Sequence, residues 1–486
     1  MDVLIRADAS AQAGGGHVAR CIALAEAINA RGGKTVFATR EDARAGQQML
    51  ESAGIPYVRL PPGDDWREDA EATRPFVRGM DWVVMDHYGL DARWQRAVSQ
   101  EGPEVVVIDD LANRPHDCAI LVDPGRSVTG RADYDSYVPA ECDFLMGPRF
   151  VMLRSGFGDV RAARSERTHT NLLVFFGSAD SQNLTARSLD AIENINFGEN
   201  LSVHVLLTST THNAGAIRER SGIVVHENVV DMASLIADMD IALGAGGVSM
   251  WERCSLGVPS LTIGVNQNQM PGLQLAEAAG AIRTLKMEDV LKPEAFGEAI
   301  RRFVTARQEW AAMASSARNL VDGRGAQRIV TQMGPLTLRA AVPADCELLW
   351  QWANDTVVRA MAFNSDPIPL EEHRVWFAAK MKTRDSLIFI SEQAGTPIGQ
   401  VRFDVRENGV DAGEWTIDIS LASEFRGQNL AIEVLQKAMV LFRRVHTAAP
   451  VIAWVKTGNV PAAGLFEAAG FRRDDCRHGA ERFIFR

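Results

Sequence analysis

A chain of 486 residues that is 46% hydrophobic and 23% charged has the length of about three globular domains. Its net charge of −11, with no stripe of Lys and Arg, argues against a nucleic-acid partner. The six cysteines form no CxxC pair and no apolar run reaches about 18 residues, so the expectation is a cytoplasmic enzyme without a signal peptide, membrane span or metal site.

Residues 1–160 alternate short apolar runs with helical patterns. The strand candidates are "DVLIRA", "KTVFAT", "DWVVMD", "EVVVID" and "AILVDP". Such alternation predicts a parallel sheet covered by helices. After the first run comes "AQAGGGHVARCIALAEAINARGG", starting at Ala11. Here a glycine turn leads into a helix with apolar residues at Val18, Cys21, Ile22, Ala25 and Ile28, stopped by Gly32 and Gly33. His17 stands in the first turn of that helix. Polar residues cluster in "DHYGLD" (Asp86 to Asp91) and "IDDLANRPHD" (Ile108 to Asp117), each directly after a strand. Ligands of open α/β sheets bind at the carboxyl ends of strands, so these loops and Gly14–His17 are expected to line one crevice.

At "ARSERTHT" (Ala163 to Thr170) the composition turns polar, and a second α/β unit follows, assigned to residues 161–330. It holds "NLLVFF", "LSVHVLL" and a second glycine turn, "LGAGGVSMWE" (Leu243 to Glu252). A glycine turn at a helix start binds anions, because free N–H groups and the helix dipole face the ligand. Gly244, Gly246 and Gly247 would let a phosphate approach the backbone. Glu252, about one and a half turns into the helix, would accept two hydrogen bonds from a ribose diol. The competing reading is a tight packing turn with a solvated glutamate.

Residues 336–486 change pattern again. A strand and a helix with Leu348, Leu349 and Trp352 precede "SLIFISEQAGTPIGQVRFDVRENG" and "GEWTIDISLA", which alternate as antiparallel strands around a "QAGT" turn. A loop and helix, a strand "PVIAWVKTGN" and a helix "VPAAGLFEAAGF" complete an α+β domain.

Read at full length, "GAGGVSMWERCSLGVPSLTIGVNQNQ" resembles the UDP-binding signature of two-lobed nucleotide-sugar enzymes of the glycosyltransferase-B fold. Together with "RADASAQAGGGHVARCIALAEAI", "DHYGLD", "IDDLANRPHDCAILVDP", "GPRFVMLR" and "FFGSADSQNLT", in that family's order, it is similar to the PseG family of UDP-2,4-diacetamido-2,4,6-trideoxy-β-L-altropyranose hydrolases of pseudaminic acid biosynthesis. The resemblance covers residues 1–330 and implies two Rossmann-like lobes. It implies that His17 is the general base that activates water, a task suited to an imidazole. Amides near Gly246 and Gly247 would stabilise departing UDP without a metal. It further implies that Gly16, Tyr88, Asn268 and Gln269 lie near substrate. Asp8, Asp86 and Asp110 would position hydroxyls, orient His17 or merely cap strand ends. The plain alternative for His17 is a capping or packing role at the turn.

"FRGQNLAIEVLQKAM" (Phe425 to Met439) resembles the CoA-binding loop of the GCN5-related N-acetyltransferases. Arg426, Gly427, Gln428, Asn429 and Ala431 match it, with Asn429 in place of the usual second glycine. The resemblance implies that backbone amides at this helix start hold the pyrophosphate of acetyl-CoA. In "KTGNVPAAGLFEAAGF", Asn459 is a CoA-contact candidate, and Phe466 stands where the family often has a tyrosine acid. Glu414 and Asp418 are candidates to deprotonate an amine. The whole chain thus reads as an α/β protein of glycosyltransferase-B type followed by an α+β acetyltransferase domain. The expected pair of activities is hydrolysis of the UDP-diacetamido sugar and N-acetylation of its 4-amino precursor. The alternatives are a UDP-sugar glycosyltransferase, or a hydrolase with a non-catalytic acyl-CoA-binding domain.

Overall fold

The computed structural model describes residues 1–9, 15–159, 170–177, 180, 182–195, 197, 200–208, 211–227, 229–406, 413–428, 430–447, 449–477 and 479–485. It divides into two compact units, Met1–Val330 and Thr331–Arg486.

The first unit contains two parallel sheets. In the first, β1 (Asp2–Ala7), β2 (Lys34–Arg40), β3 (Tyr57–Leu60), β4 (Trp82–Asp86), β5 (Glu104–Ile108), β6 (Ile120–Asp123) and β7 (Asp143–Met146) lie in the order β3-β2-β1-β4-β5-β6-β7. Its inner strands read as unbroken apolar runs because helices cover both faces. Val3, Leu4 and Ile5 of β1 and Val83, Val84 and Met85 of β4 are fully buried. The two strands missing from the sequence reading, β3 and β7, are the two edges. The helix Gly16–Ala30 follows β1, and the five helically spaced apolar positions are all buried in it, together with His17, Ala23, Leu24 and Ala27.

The second sheet holds β8 (Thr170–Phe175), β9 (Leu201–Leu207), β10 (Ile223–Glu227), β11 (Ile241–Ala245), β12 (Ser260–Ile263) and β13 (Arg283–Leu285), in the order β10-β9-β8-β11-β12-β13. Both sheets therefore reverse strand order once, between β1 and β4 and between β8 and β11. Crevices at such switch points are where open α/β sheets bind ligands.

Beneath the first sheet lies a buried ion pair. Arg6, which has no exposed surface, donates to Asp69 through Nε at 3.1 Å and Nη2 at 2.7 Å, and Trp94 Nε1 donates to the same carboxylate at 2.8 Å. Removing one partner of a buried pair leaves an uncompensated charge, which costs about 3–5 kcal/mol. Asp69→Ala is expected to lower unfolding stability by that amount in urea titrations. A loss below about 1 kcal/mol would show that Asp8, 2.7 Å from Arg6, satisfies the guanidinium alone.

The second unit is a mixed sheet of β14 (Leu336–Ala340), β15 (Ser386–Gln393), β16 (Thr396–Val405), β17 (Trp415–Leu421), β18 (Val451–Lys456), β19 (Arg472–Arg477) and β20 (Ala480–Phe485), in the order β14-β15-β16-β17-β18-β20-β19. The predicted hairpin between β15 and β16 turns on Ala394 and Gly395, both at positive φ (48° and 74°). Among the described residues, β17 and β18 are the only parallel neighbours of this sheet, registered at two pairs, Trp415↔Val451 and Thr416↔Ile452. Beyond those pairs no β17–β18 partners are registered among the described residues, a gap in the pairing, while β17 stays paired to β16 along all seven residues. Among the described residues no helix is long and apolar enough to cross a membrane.

Candidate active site

His17 is the second residue of its helix, and β4 ends on Asp86. The switch point between β1 and β4 brings the two together. His17 Nδ1 donates to Asp86 Oδ1 at 2.5 Å, and both side chains are buried. His17 Nε2 makes no hydrogen bond among the described residues. Arg20, one turn further along the helix, clamps both oxygens of Asp86 at 2.6 Å and reaches Asp110 at 3.2 Å. Burial alone would raise the Asp86 carboxyl, but the Arg20 charge and the hydrogen bonds from Arg20 and His17 outweigh it and hold it well below the usual carboxylate range. The arrangement fixes one tautomer of His17, with the proton on Nδ1 and a lone pair on Nε2.

The other histidines of this region are committed. His87 Nδ1 accepts from the Gly89 amide at 3.0 Å, and its Nε2 faces Asp8 at 3.5 Å. His116 is buried against Gln95, and burial drives its imidazole down to about 4. Asp8 does not touch His17. It accepts from Thr39 Oγ1 at 2.9 Å and the Arg40 amide at 2.8 Å, and it pairs with Arg6. Of the three aspartates weighed as orienting groups, Asp86 makes the contact.

Tyr88 stands edge-to-face on the His17 ring, with centroids 4.5 Å apart. Its hydroxyl donates to Asp110 at 2.9 Å and accepts from Asn268 Nδ2 at 2.8 Å. Burial first, and then the Asp110 charge, pushes the hydroxyl above its ordinary value, so it remains a donor. Asn268 comes from the loop after β12, so this bond ties the crevices of the two sheets together. Among the described residues, a Cβ added to Gly16 would meet nothing within 4 Å.

The second glycine turn follows β11. Gly247 has φ +83°, a conformation that favours glycine, and caps the helix Val248–Ser255. The Gly246 amide is taken by the Ile263 carbonyl at 3.0 Å, which differs from its expected role toward phosphate. The amides that find no partner among the described residues are those of Gly247, Val248 and Ser249, as the first turn of a helix requires. Gln269 lies over this turn. Its Oε1 accepts from the Val265 amide at 3.0 Å and would be 3.0 Å from a Cβ at Gly246. Glu252 is half-buried and its carboxylate makes no hydrogen bond among the described residues. Burial raises its pKa against the opposing charges of Arg154 and Arg253.

In the second unit, the loop before the helix Leu430–Val445 follows β17, whose pairing to β18 stops after two residues. Gly427 has φ +73°. Arg426 Nε donates to the Leu421 carbonyl at 2.9 Å and Nη1 to Asp355 at 2.8 Å. The Gln428 side chain is spent on the Glu424 carbonyl at 2.7 Å and on Gln332, leaving its backbone for a ligand. Asn429 lies outside the described residues. Ala431 is in the first turn of the helix. Asn459 caps the helix Val460–Ala468 through the Ala462 amide at 3.3 Å. Phe466 is buried against Phe471 and Phe483. Glu414 pairs with Arg482 at 3.0 Å, whereas Asp418 is exposed and accepts from Gln400 Nε2 at 2.5 Å.

The sequence reading missed Arg20, although its spacing of three from His17 puts both on one helix face. It also missed Arg253, whose burial no periodicity announces.

Residues 335–472 match the acetyltransferase (GNAT) domain. An uncharacterised protein of Methanocaldococcus jannaschii is 20% identical over 97% of each chain. The spore coat polysaccharide biosynthesis protein SpsG of Bacillus subtilis is 24% identical, covering 68% of this chain and 96% of its own. The UDP-2,4-diacetamido-2,4,6-trideoxy-beta-L-altropyranose hydrolase of Campylobacter jejuni is 24% identical over 188 residues, which are 38% of this chain and 63% of that one. These last two alignments are longer than the GNAT domain and draw on the first unit. The chain is thus similar, over part of its length, to a PseG-type UDP-sugar hydrolase, and its residues 335–472 match the GNAT acetyltransferase domain.

Proposed function

We propose that the first unit hydrolyses a UDP-diacetamido sugar of the 2,4,6-trideoxy altropyranose type to the free sugar and UDP. The observation that carries this reading is the His17–Asp86 pair, with Nδ1 fixed at 2.5 Å and Nε2 left to accept a proton. A water on Nε2 attacks the anomeric carbon. The bond from that carbon to the β-phosphate oxygen breaks, the proton passes to Nε2, and the configuration inverts. The amides of Gly247, Val248 and Ser249 receive the phosphate charge. Glu252 accepts the ribose diol, and Tyr88 and Asn268 hold the sugar beside His17. The name of the C. jejuni relative supports the substrate class. The test is UDP release from the UDP-diacetamido sugar with no acceptor present. Release supports hydrolysis, and release only on addition of an acceptor would make the unit a glycosyltransferase.

The second unit acetylates an amine from acetyl-CoA, on this reading the 4-amino group of the UDP-sugar precursor. The family match and the early end of the β17–β18 pairing, on the strand that leads into the Gly427 loop, support a CoA site there. Asp418 lies on the open part of β17 and takes the amine proton, a role the Arg482 pair denies to Glu414. Asp418→Asn is expected to lower acetyl transfer about 10²-fold or more while acetyl-CoA affinity stays unchanged. A second reading, acyl-CoA binding without transfer, is favoured by Phe466, which puts a buried ring where an acid would stand. Acetylation of the amino sugar nucleotide would eliminate it.

A further inference from the structure

Arg253 follows Glu252 on the helix Val248–Ser255 and is 1% exposed. Its Nε donates to Ser260 Oγ at 3.1 Å, its Nη2 to the Ala245 carbonyl at 2.9 Å and its Nη1 to Ser249 Oγ at 3.4 Å. Among the described residues no carboxylate lies within ion-pair distance of it. Arg6, equally buried, has two such partners, Asp8 and Asp69. Burial brings the Arg253 guanidinium down to about 10, so it is still a cation at neutral pH. The neighbouring Glu252 charge acts on it from outside ion-pair distance, and a buried charge without such a pair is costly, so natural proteins pair such charges or use them.

The guanidinium lies directly against the glycine turn. A Cβ on Gly244 would be 2.9 Å from Arg253 Nη1 and 2.4 Å from the Phe175 carbonyl, so residue 244 has room for hydrogen only. By binding the Ala245 carbonyl and the Ser249 hydroxyl, Arg253 holds both ends of the turn from behind. The carbonyl at the entry of the turn faces the guanidinium, and the free amides of Gly247, Val248 and Ser249 are left for the other side. The cation and these amides thus border the same turn.

We propose that Arg253 is a positioning residue for the diphosphate, supplying from behind the turn the buried charge whose partner is the ligand. This rests on the reading of the turn as a UDP site. The full chain is titrated calorimetrically with UDP and with uridine, for wild type, Arg253→Gln and Arg253→Lys. The expected result is at least a tenfold loss of UDP affinity in the Gln variant, with uridine affinity within about twofold of wild type and UDP affinity partly restored by Lys. A merely structural role would weaken both ligands together, and that result, or unchanged UDP affinity, would overturn the proposal. Should the Gln variant fail to fold, Arg253→Met is read by the same two ligands. Absence of UDP binding by the wild type would instead overturn the nucleotide reading itself.

Discussion

His17→Ala is expected to slow UDP release about 10²–10⁴-fold, the usual contribution of a positioned general base. UDP affinity should stay within a few-fold, because the turn at Gly247 that is read as its site belongs to the other sheet. His17 is buried and packs on Tyr88, so alanine leaves a small void as well as removing the base. The measurement is single-turnover release together with UDP titration of the same sample. A loss of less than tenfold would assign the base elsewhere. A parallel loss of UDP affinity would mean that the substitution had damaged the crevice rather than the chemistry.

Asp86→Asn is expected to be nearly as severe, and it acts on stability too. An amide in place of the carboxylate no longer enforces the Nδ1–H tautomer, and an equivalent change in a serine-protease triad costs about 10⁴-fold in kcat. It also strips Arg20 of the acceptor it clamps through two nitrogens. Breaking a buried pair costs about 3–5 kcal/mol. The pH sign follows from the direction of the shift. A carboxylate held below its unfolded value stabilises the fold above about pH 4, and that contribution fades as pH falls through the folded value. The variant should therefore trail wild type most at neutral pH, with the two converging in acid. Urea midpoints across that range check this. A gap that widens in acid would contradict the assignment of Asp86 as a buried, ionised partner.

Much of this was legible in the sequence for a physical reason. Strands buried on both faces must be apolar throughout, so β1, β4, β5, β8 and β11 announced themselves. β3 and β7 did not, because four residues at a sheet edge carry too little pattern. His17 and Asp86 were visible as types at the ends of strands. Which of Asp8, Asp86 and Asp110 met the histidine was not, since that depends on strand order, and β1 lies beside β4 only in the folded sheet. The Gly246 amide was misjudged for a similar reason. Its partner is the Ile263 carbonyl on the neighbouring strand, and no local spacing records a cross-strand bond. In the second unit the CoA-loop resemblance stood on short strings, and the structure adds that the Gln428 side chain bonds the Glu424 carbonyl beside the loop while the Asn459 side chain caps the helix Val460–Ala468.

The parting of β17 from β18 puts two bare strand edges in the middle of a seven-stranded sheet rather than at its rim. A bare edge is a template for any extended chain that arrives. A slender ligand with amides of its own closes such a seam as a guest strand would. On the reading proposed above, acetyl-CoA is then part of the architecture it visits, at 100 times its dissociation constant worth about 2.7 kcal/mol of added stability. The domain would guard its own interior best while the cosubstrate or its CoA product is bound, and each release of CoA would reopen the seam until the next molecule enters.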